Sequence, residues 1–237
     1  MPQAGVCPVL PDAALRRLEE AFAAPDPERG EPAARVAGVL VPVVVCDDGS
    51  LALLYTRRSE FLSSHPGEIS FPGGRLDPDD AGPLAAALRE TEEEVGLGAA
   101  DLRVLGHVAD FPTFRGVLVC AYAAAVPLAL VPASPASPDE VAELLLLPLD
   151  GLARPGVRPG GAGRPFYDVI EYEGRRLPGA PRGDRTVHYW RLDPPSTLWG
   201  ITGEITARFL GRAFGWTPPT PPREIRHAWQ YLPEAFG

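Results

Sequence analysis

The alternation of strand-like and helix-like segments constrains this chain most. The run 36–46 and the run 51–56 read as two strands joined by Asp47-Asp48-Gly49-Ser50, a strong hairpin signal. Residues 83–95 are rich in Ala and Glu and end at Gly96, which suits a helix closed by a left-handed glycine. Strand-like runs return at 102–108 and 117–126. A second helix is predicted over 199–214, with Ile201, Ile205, Phe209 and Leu210 near one face. Sheet, helix, sheet, helix in this order predicts an α/β (α+β) fold, a mixed β-sheet between helices.

Composition narrows the function. Of 237 residues 45% are apolar, enough for an ordinary core, and 31 acidic against 22 basic residues leave a net charge of −9. That balance excludes a protein that coats nucleic acid and leaves room for a small polyanion in one basic pocket. Cys7, Cys46 and Cys120 are far apart and form neither a disulfide framework nor a ligand spacing. The longest apolar runs, 36–46 and 121–131, are too short to cross a bilayer as helices. The first residues lack a basic start followed by an apolar stretch, so a cytoplasmic protein with no membrane partner is expected.

Three regions are predicted. Residues 1–34 form an N-terminal arm in which Asp12 caps a helix to about Ala23, with Leu15, Leu18 and Phe22 on one side. Residues 35–215 form the main domain, with a further strand pair at 166–173 and 186–192. Residues 216–237 form a Pro-rich tail with one short helix, and Trp216, Trp229 and Tyr231 are free to pack back on the domain or on a partner subunit. A monomer or homodimer is expected.

The chemistry concentrates in residues 73–97. A glycine pair follows a strand and leads to a helix carrying Arg89, Glu90, Glu92, Glu93 and Glu94. Glu90 and Glu94 are four apart on one helix face and Glu93 flanks them, so their charges repel. A bound cation relieves that repulsion, and Mg²⁺ suits carboxylate oxygens while keeping waters for a phosphate partner.

This stretch resembles the Nudix box, G-x5-E-x7-R-E-U-x-E-E-x-G-U with U bulky and apolar. Gly74, Arg89-Glu90, Glu93-Glu94 and Gly96-Leu97 match it. One residue is inserted between Gly74 and Arg89, the early acid is Asp79 or Asp80, and Thr91 stands where an apolar residue is usual. The resemblance implies a Nudix αβα sandwich and a hydrolase dependent on Mg²⁺ or Mn²⁺. Glu90, Glu93, Glu94 and the Gly74 carbonyl would be the metal ligands, and Arg89 would fix a box carboxylate. The general base would be Glu93, with Glu140 in reserve.

Upstream, Thr56, Arg58, Ser59, Gly67 and Phe71–Gly74 match the coenzyme A pyrophosphatase signature of this superfamily, L-L-T-x-R-S-x3-R-x3-G-x3-F-P-G-G. Tyr55 replaces a Leu, and Ser63 replaces the second Arg, a natural phosphate partner. Later landmarks at 138–141 and 198–202 extend the resemblance over roughly 35–214. It implies cleavage of coenzyme A or a derivative to 3′,5′-ADP and 4′-phosphopantetheine. The alternatives are another nucleoside diphosphate derivative (ADP-ribose, a dinucleoside polyphosphate, a nucleoside triphosphate) or a non-catalytic nucleotide sensor. A small-molecule nucleotide is the expected partner. Arg57, Arg58, Ser59, His65 and Gly67 are candidate substrate contacts, and Phe114 with Arg115 offers a ring and a cation for stacking adenine. His107, His188 and His227 show no ligand spacing.

Overall fold

The computed structural model of the chain describes residues 12–24, 33, 35–113, 116–154, 166–173, 184–192, 196–218 and 223–224. Apolar side chains on both faces of the same strands dictate its layering. β1 (Arg35–Val45) sends Val41 and Val43 to one side and Leu40 and Val44 to the other, all fully buried. β2 (Leu51–Arg58) divides Leu53 and Tyr55 from Ala52 and Leu54 in the same way. Strands apolar on both faces need cover on both, and the helices supply it.

Seven described strands form the main sheet. β1 runs parallel to β6 (Val117–Pro127) along its whole length, from Arg35 opposite Val117 to Val45 opposite Pro127. β5 (Arg103–Pro112) closes that side, antiparallel to β6. The other side of β1 is shared between two strands. The predicted hairpin pairs Val43–Val45 with β2, and β4 (Gly73–Arg75) takes Ala37–Val39. β2 continues outward to β3 (Ile69–Ser70) and to β7 (Val141–Pro148), the Leu-rich run. The chain therefore splits along β1, and the split admits the β4 turn that carries Gly73 and Gly74.

Helix α2 (Pro83–Val95) covers one face. It approaches so closely that a Cβ on Gly38 would overlap the Pro83 carbonyl. On the other face lie α1 (Asp12–Phe22) and α4 (Gly200–Phe214), with Phe22 stacked on Phe209 at 5.4 Å. Leu15, Leu18 and Phe22 are all buried, so the N-terminal helix packs into the same core as the sheet. Arg212 of α4 holds the end of α1 by donating to the carbonyls of Ala21 and Ala24 (3.1 and 2.6 Å). It also donates to His107 and Val108 at the β5 bulge (both 2.7 Å). The result is the expected αβα sandwich.

A second sheet of four described strands follows: β8 (Phe166–Glu173), β9 (Asp184–Arg191), β10 (Thr197–Leu198) and β11 (Arg223–Glu224). A short helix, α3 (Leu149–Ala153), anchors it, because the buried Trp190 donates to the Leu152 carbonyl at 3.0 Å. Trp216 packs back on Trp190 (centroids 5.9 Å apart) and donates to the Ala153 carbonyl. In the tail the regular structure among the described residues is the two-residue strand β11, not the expected short helix, and Trp229 and Tyr231 lie outside the described residues. Cys46 is half-buried and Cys120 buried, neither of them in a disulfide among the described residues, and Cys7 lies outside the described residues. No helix among the described residues is long and apolar enough to cross a membrane.

Candidate active site

The site is built where β4 passes under α2. Gly73 has φ 151°, and a side chain there would strike the Gly38 carbonyl and Val39 across the pairing. Gly74 meets a side chain instead: a Cβ there would displace the Glu90 carboxylate. The glycine pair thus lets a strand lie directly beneath two acids of the helix.

Those acids are unequal. Glu94 is 5% exposed and accepts one long hydrogen bond, 3.3 Å, from the Gly73 N–H. Burial pushes its carboxyl up to about 7; the Gly73 bond and the Arg58 charge oppose the rise, while Glu90 and Glu140 add to it. Glu90 is also raised, first by burial, with repulsion from Glu93 and Glu140, against the pull of Arg89. Glu93 is exposed on the flank and pairs with Arg89 at 3.2 Å. Glu140, at the entry to β7, is exposed, and its charge acts on both Glu90 and Glu94. Its carbonyl accepts the Ser59 N–H at 2.8 Å, which ties β7 to the loop after β2.

Arg89 gathers the remaining acids. Its guanidinium donates to both oxygens of Asp80 (3.2 and 3.0 Å), to Glu90 and Glu93 (3.0 and 3.2 Å) and to the Arg75 carbonyl. The paired Arg89 holds the Asp80 carboxyl below its usual range. The sequence left Asp79 and Asp80 as equal candidates for the early acid, and Asp80 is the one that faces Arg89. Thr91, the polar departure from the box, donates to the Ala87 carbonyl at 2.6 Å, which satisfies its hydroxyl inside the core.

The two arginines of β2 separate. Arg58 lies on the α2 side, where its charge favours ionised Glu94, and its buried Nε has no hydrogen-bond partner. Arg57 donates to Glu143 (3.0 Å) and Ser196 (2.9 Å), and none of its bonds reaches the box acids. The loop between β2 and β3 is braced. Ser59 is buried, Gly67 sits at φ 67° against the Glu60 carboxylate, and His65 pairs with Glu68 at 3.0 Å. Phe71 stacks on Tyr55 at 4.4 Å, so the Tyr that replaces a Leu supports the signature strand from below. Phe114 and Arg115 lie outside the described residues, as does His227. His107 is a buried partner of Asp110 at 2.7 Å. Burial lowers His188 to about 4, so it is neutral. His188 lines a cavity of about 550 Å³ between α4 and the end of β5, with Phe111, Glu204, Arg208 and Trp216, none of them a box residue.

Among the described residues no three acid, histidine or cysteine side chains converge to hold an ion as they stand. Glu90 is turned to Arg89 and Glu94 to the Gly73 N–H. The donor set nonetheless fits a hard divalent cation. Two carboxylates whose charge is penalised by burial and by each other face a backbone that has no Cβ, and that is oxygen-only chemistry.

Comparison with known proteins agrees with this geometry. The NUDIX domain model matches residues 35–165. An uncharacterized Nudix hydrolase, NudL, of Photorhabdus laumondii is 39% identical over 181 residues, 76% of this chain and 86% of that protein. The similarly named NudL of Yersinia pestis is 40% identical over 115 residues, 48% of this chain and 56% of that protein. Among solved structures, a MutT/nudix family protein from Enterococcus faecalis aligns at TM-score 0.47 and 17% identity, covering 81% of this chain and 66% of the other. A C. elegans Ap4A hydrolase aligns at TM-score 0.40 and 22% identity, covering 48% and 80%. With Glu90 and Glu94 set against their glycine strand and the domain model spanning more than half of the sequence, the chain belongs to the Nudix domain family, as a hydrolase acting on phosphorus anhydrides.

Proposed function

We propose that this hydrolase cleaves the diphosphate of coenzyme A or a derivative, giving 3′,5′-ADP and 4′-phosphopantetheine or its acyl form. The observation that carries the reading is the Arg58–Glu94–Glu140 constellation: the signature segment from Thr56 to Gly74 forms one wall of the box acids. Thr56 bonds Ser70, Ser59 bonds Glu140, and Gly73 bonds Glu94.

The substrate is heavily anionic, and each residue has a separate task. Glu90 and Glu94, with the Gly74 carbonyl, would hold Mg²⁺ or Mn²⁺, with Glu93 as a further ligand. The bound cation offsets phosphate charge and lowers the pKa of a water. Glu140 is the better-placed base: it is exposed, and its charge acts on both Glu90 and Glu94, while Glu93 is engaged by Arg89. It would take the proton as the water oxygen bonds to one phosphorus and the bridging oxygen leaves on the other phosphate. Arg58 would grip a phosphate oxygen in place of its missing partner. Arg89 fixes Glu90 and Glu93 in rotamer.

A second reading has its own observation. Ser63, where the signature has an Arg, is exposed in the loop and offers no cation, which favours the same hydrolysis on ADP-ribose, a dinucleoside polyphosphate or a nucleoside triphosphate. Incubation of the purified protein with Mg²⁺ or Mn²⁺ and these substrates, with products identified by mass, tests both. Dominant 3′,5′-ADP and 4′-phosphopantetheine supports coenzyme A. Faster cleavage of another nucleotide removes it, and no cleavage of any leaves a nucleotide sensor.

A further inference from the structure

Phe61 is 97% exposed, whereas the next most exposed large apolar side chain among the described residues, Phe214, is 42% exposed. The loop that presents it is tied down. Its base is closed by Arg58 N–H to the Glu68 carbonyl and Ser59 N–H to the Glu140 carbonyl, 2.9 and 2.8 Å. The turn itself is held by the Phe61 N–H on Ser59 Oγ (3.4 Å) and the Leu62 N–H on the Ser59 carbonyl (3.3 Å). Gly67, in the left-handed region against Glu60, fixes the return. An aromatic ring is thus held in water on an anchored turn, with no internal packing to explain it.

Its position relative to the site is bounded by the chain. Phe61 lies three positions after Arg58, so their Cα atoms are at most about 11 Å apart. Arg58 faces the box acid Glu94, and Ser59 is bonded to Glu140. A nucleotide places a flat aromatic base one sugar away from its phosphates, so an exposed ring on a turn three positions after Arg58 is within reach of the base of a nucleotide whose phosphate meets that cation. We propose that Phe61 is the stacking platform for the purine base of the substrate and so a specificity-determining residue. This rests on the reading of the site as a hydrolase of nucleoside diphosphate derivatives.

The test uses the full chain with Mg²⁺ and two probes, ADP and inorganic pyrophosphate, with Kd measured by titration calorimetry. Phe61→Ala should weaken ADP about tenfold, the scale of losing one base–aromatic stack. Pyrophosphate affinity should not change, and Phe61→Trp should restore ADP. Because the ring touches no core residue, the melting temperature of Phe61→Ala should equal that of the wild type. Failure of the wild type to bind ADP, an unchanged Kd for ADP in Phe61→Ala, or equal weakening of both probes overturns the proposal. So does sedimentation in which the wild type dimerises and Phe61→Ala does not, since a second copy then covers the ring. Intact Phe61-dependent ADP binding without turnover of any substrate would sink the proposed reaction and leave the platform standing.

Discussion

Helices α2 and α4 use the same devices and serve opposite ends. Both close on a left-handed glycine, Gly96 at φ 89° and Gly215 at φ 64°. Both approach a strand through a glycine, α2 over Gly38 and α4 through Gly203 against the His188 carbonyl. Their buried residues differ. α4 buries Ile205, Phe209 and Leu210, and its buried Thr206 has full partners in the Thr202 carbonyl (2.8 Å) and Tyr55 Oη (3.0 Å). α2 buries Ala86, Ala87 and Val95 and, beside them, Glu94 with a single long bond. One helix holds the sheet together. The other gives up stability to keep a charge where a phosphate is to be handled.

Substitution should pull these roles apart. Glu94→Gln should lower turnover by roughly 10³, the scale of losing one group that stabilises developing charge, while raising the melting temperature of the metal-free protein. Assay and thermal melt on the same sample check this; a variant both less active and less stable would make Glu94 a packing residue. Phe209→Ala should do the reverse. It removes a ring in contact with Phe22 and Phe214, costs about 3–5 kcal/mol in denaturant unfolding, and leaves turnover per folded molecule unchanged in the cold.

pH sharpens the contrast. Glu94 is raised from 4.5 to about 7 in the fold, so its protonated form is the favoured one. The stability this contributes is complete below about pH 4.5 and is lost as pH rises through about 7, on the order of 3 kcal/mol in all. Melting curves should therefore show Mg²⁺ stabilising the wild type more at pH 8 than at pH 5, with the difference flattened in Glu94→Gln. Arg89→Ala should cost about 10–100-fold in turnover or metal affinity, the scale for a residue that orients ligands. The smallest effects separate neighbours on β2: Arg58→Ala should raise KM for the diphosphate, and Arg57→Ala, bonded to Glu143 and Ser196, should leave it within about twofold by steady-state kinetics.

What the sequence showed, it showed through spacing and period. The Asp47–Ser50 turn forms as expected, with the Gly49 N–H on the Cys46 carbonyl and Asp48 accepting from the Ser50 N–H. The Gly96 cap and the one-faced pair Glu90 and Glu94 follow from helical period alone. Contacts between distant segments were not legible. Nothing local says that Glu140 approaches Glu94, that Arg212 closes α1 onto β5, or that adjacent Arg57 and Arg58 serve different partners. Alternation along β2 puts the two arginines on opposite faces, but which partners wait on those faces depends on segments distant in sequence. The pairing of β7 was not legible either, because it depends on β2, more than eighty residues upstream. Phe61 carried no motif, and its exposure emerges only once the loop is folded.

The most direct test is a count of Mn²⁺ ions bound at pH 8 by electron paramagnetic resonance, in wild type and Glu94→Gln. If the acids of α2 are the metal site, the wild type binds and the variant, still folded, loses affinity by at least tenfold. Equal binding by both proteins would move the metal away from Glu94, and with it the centre of the reaction.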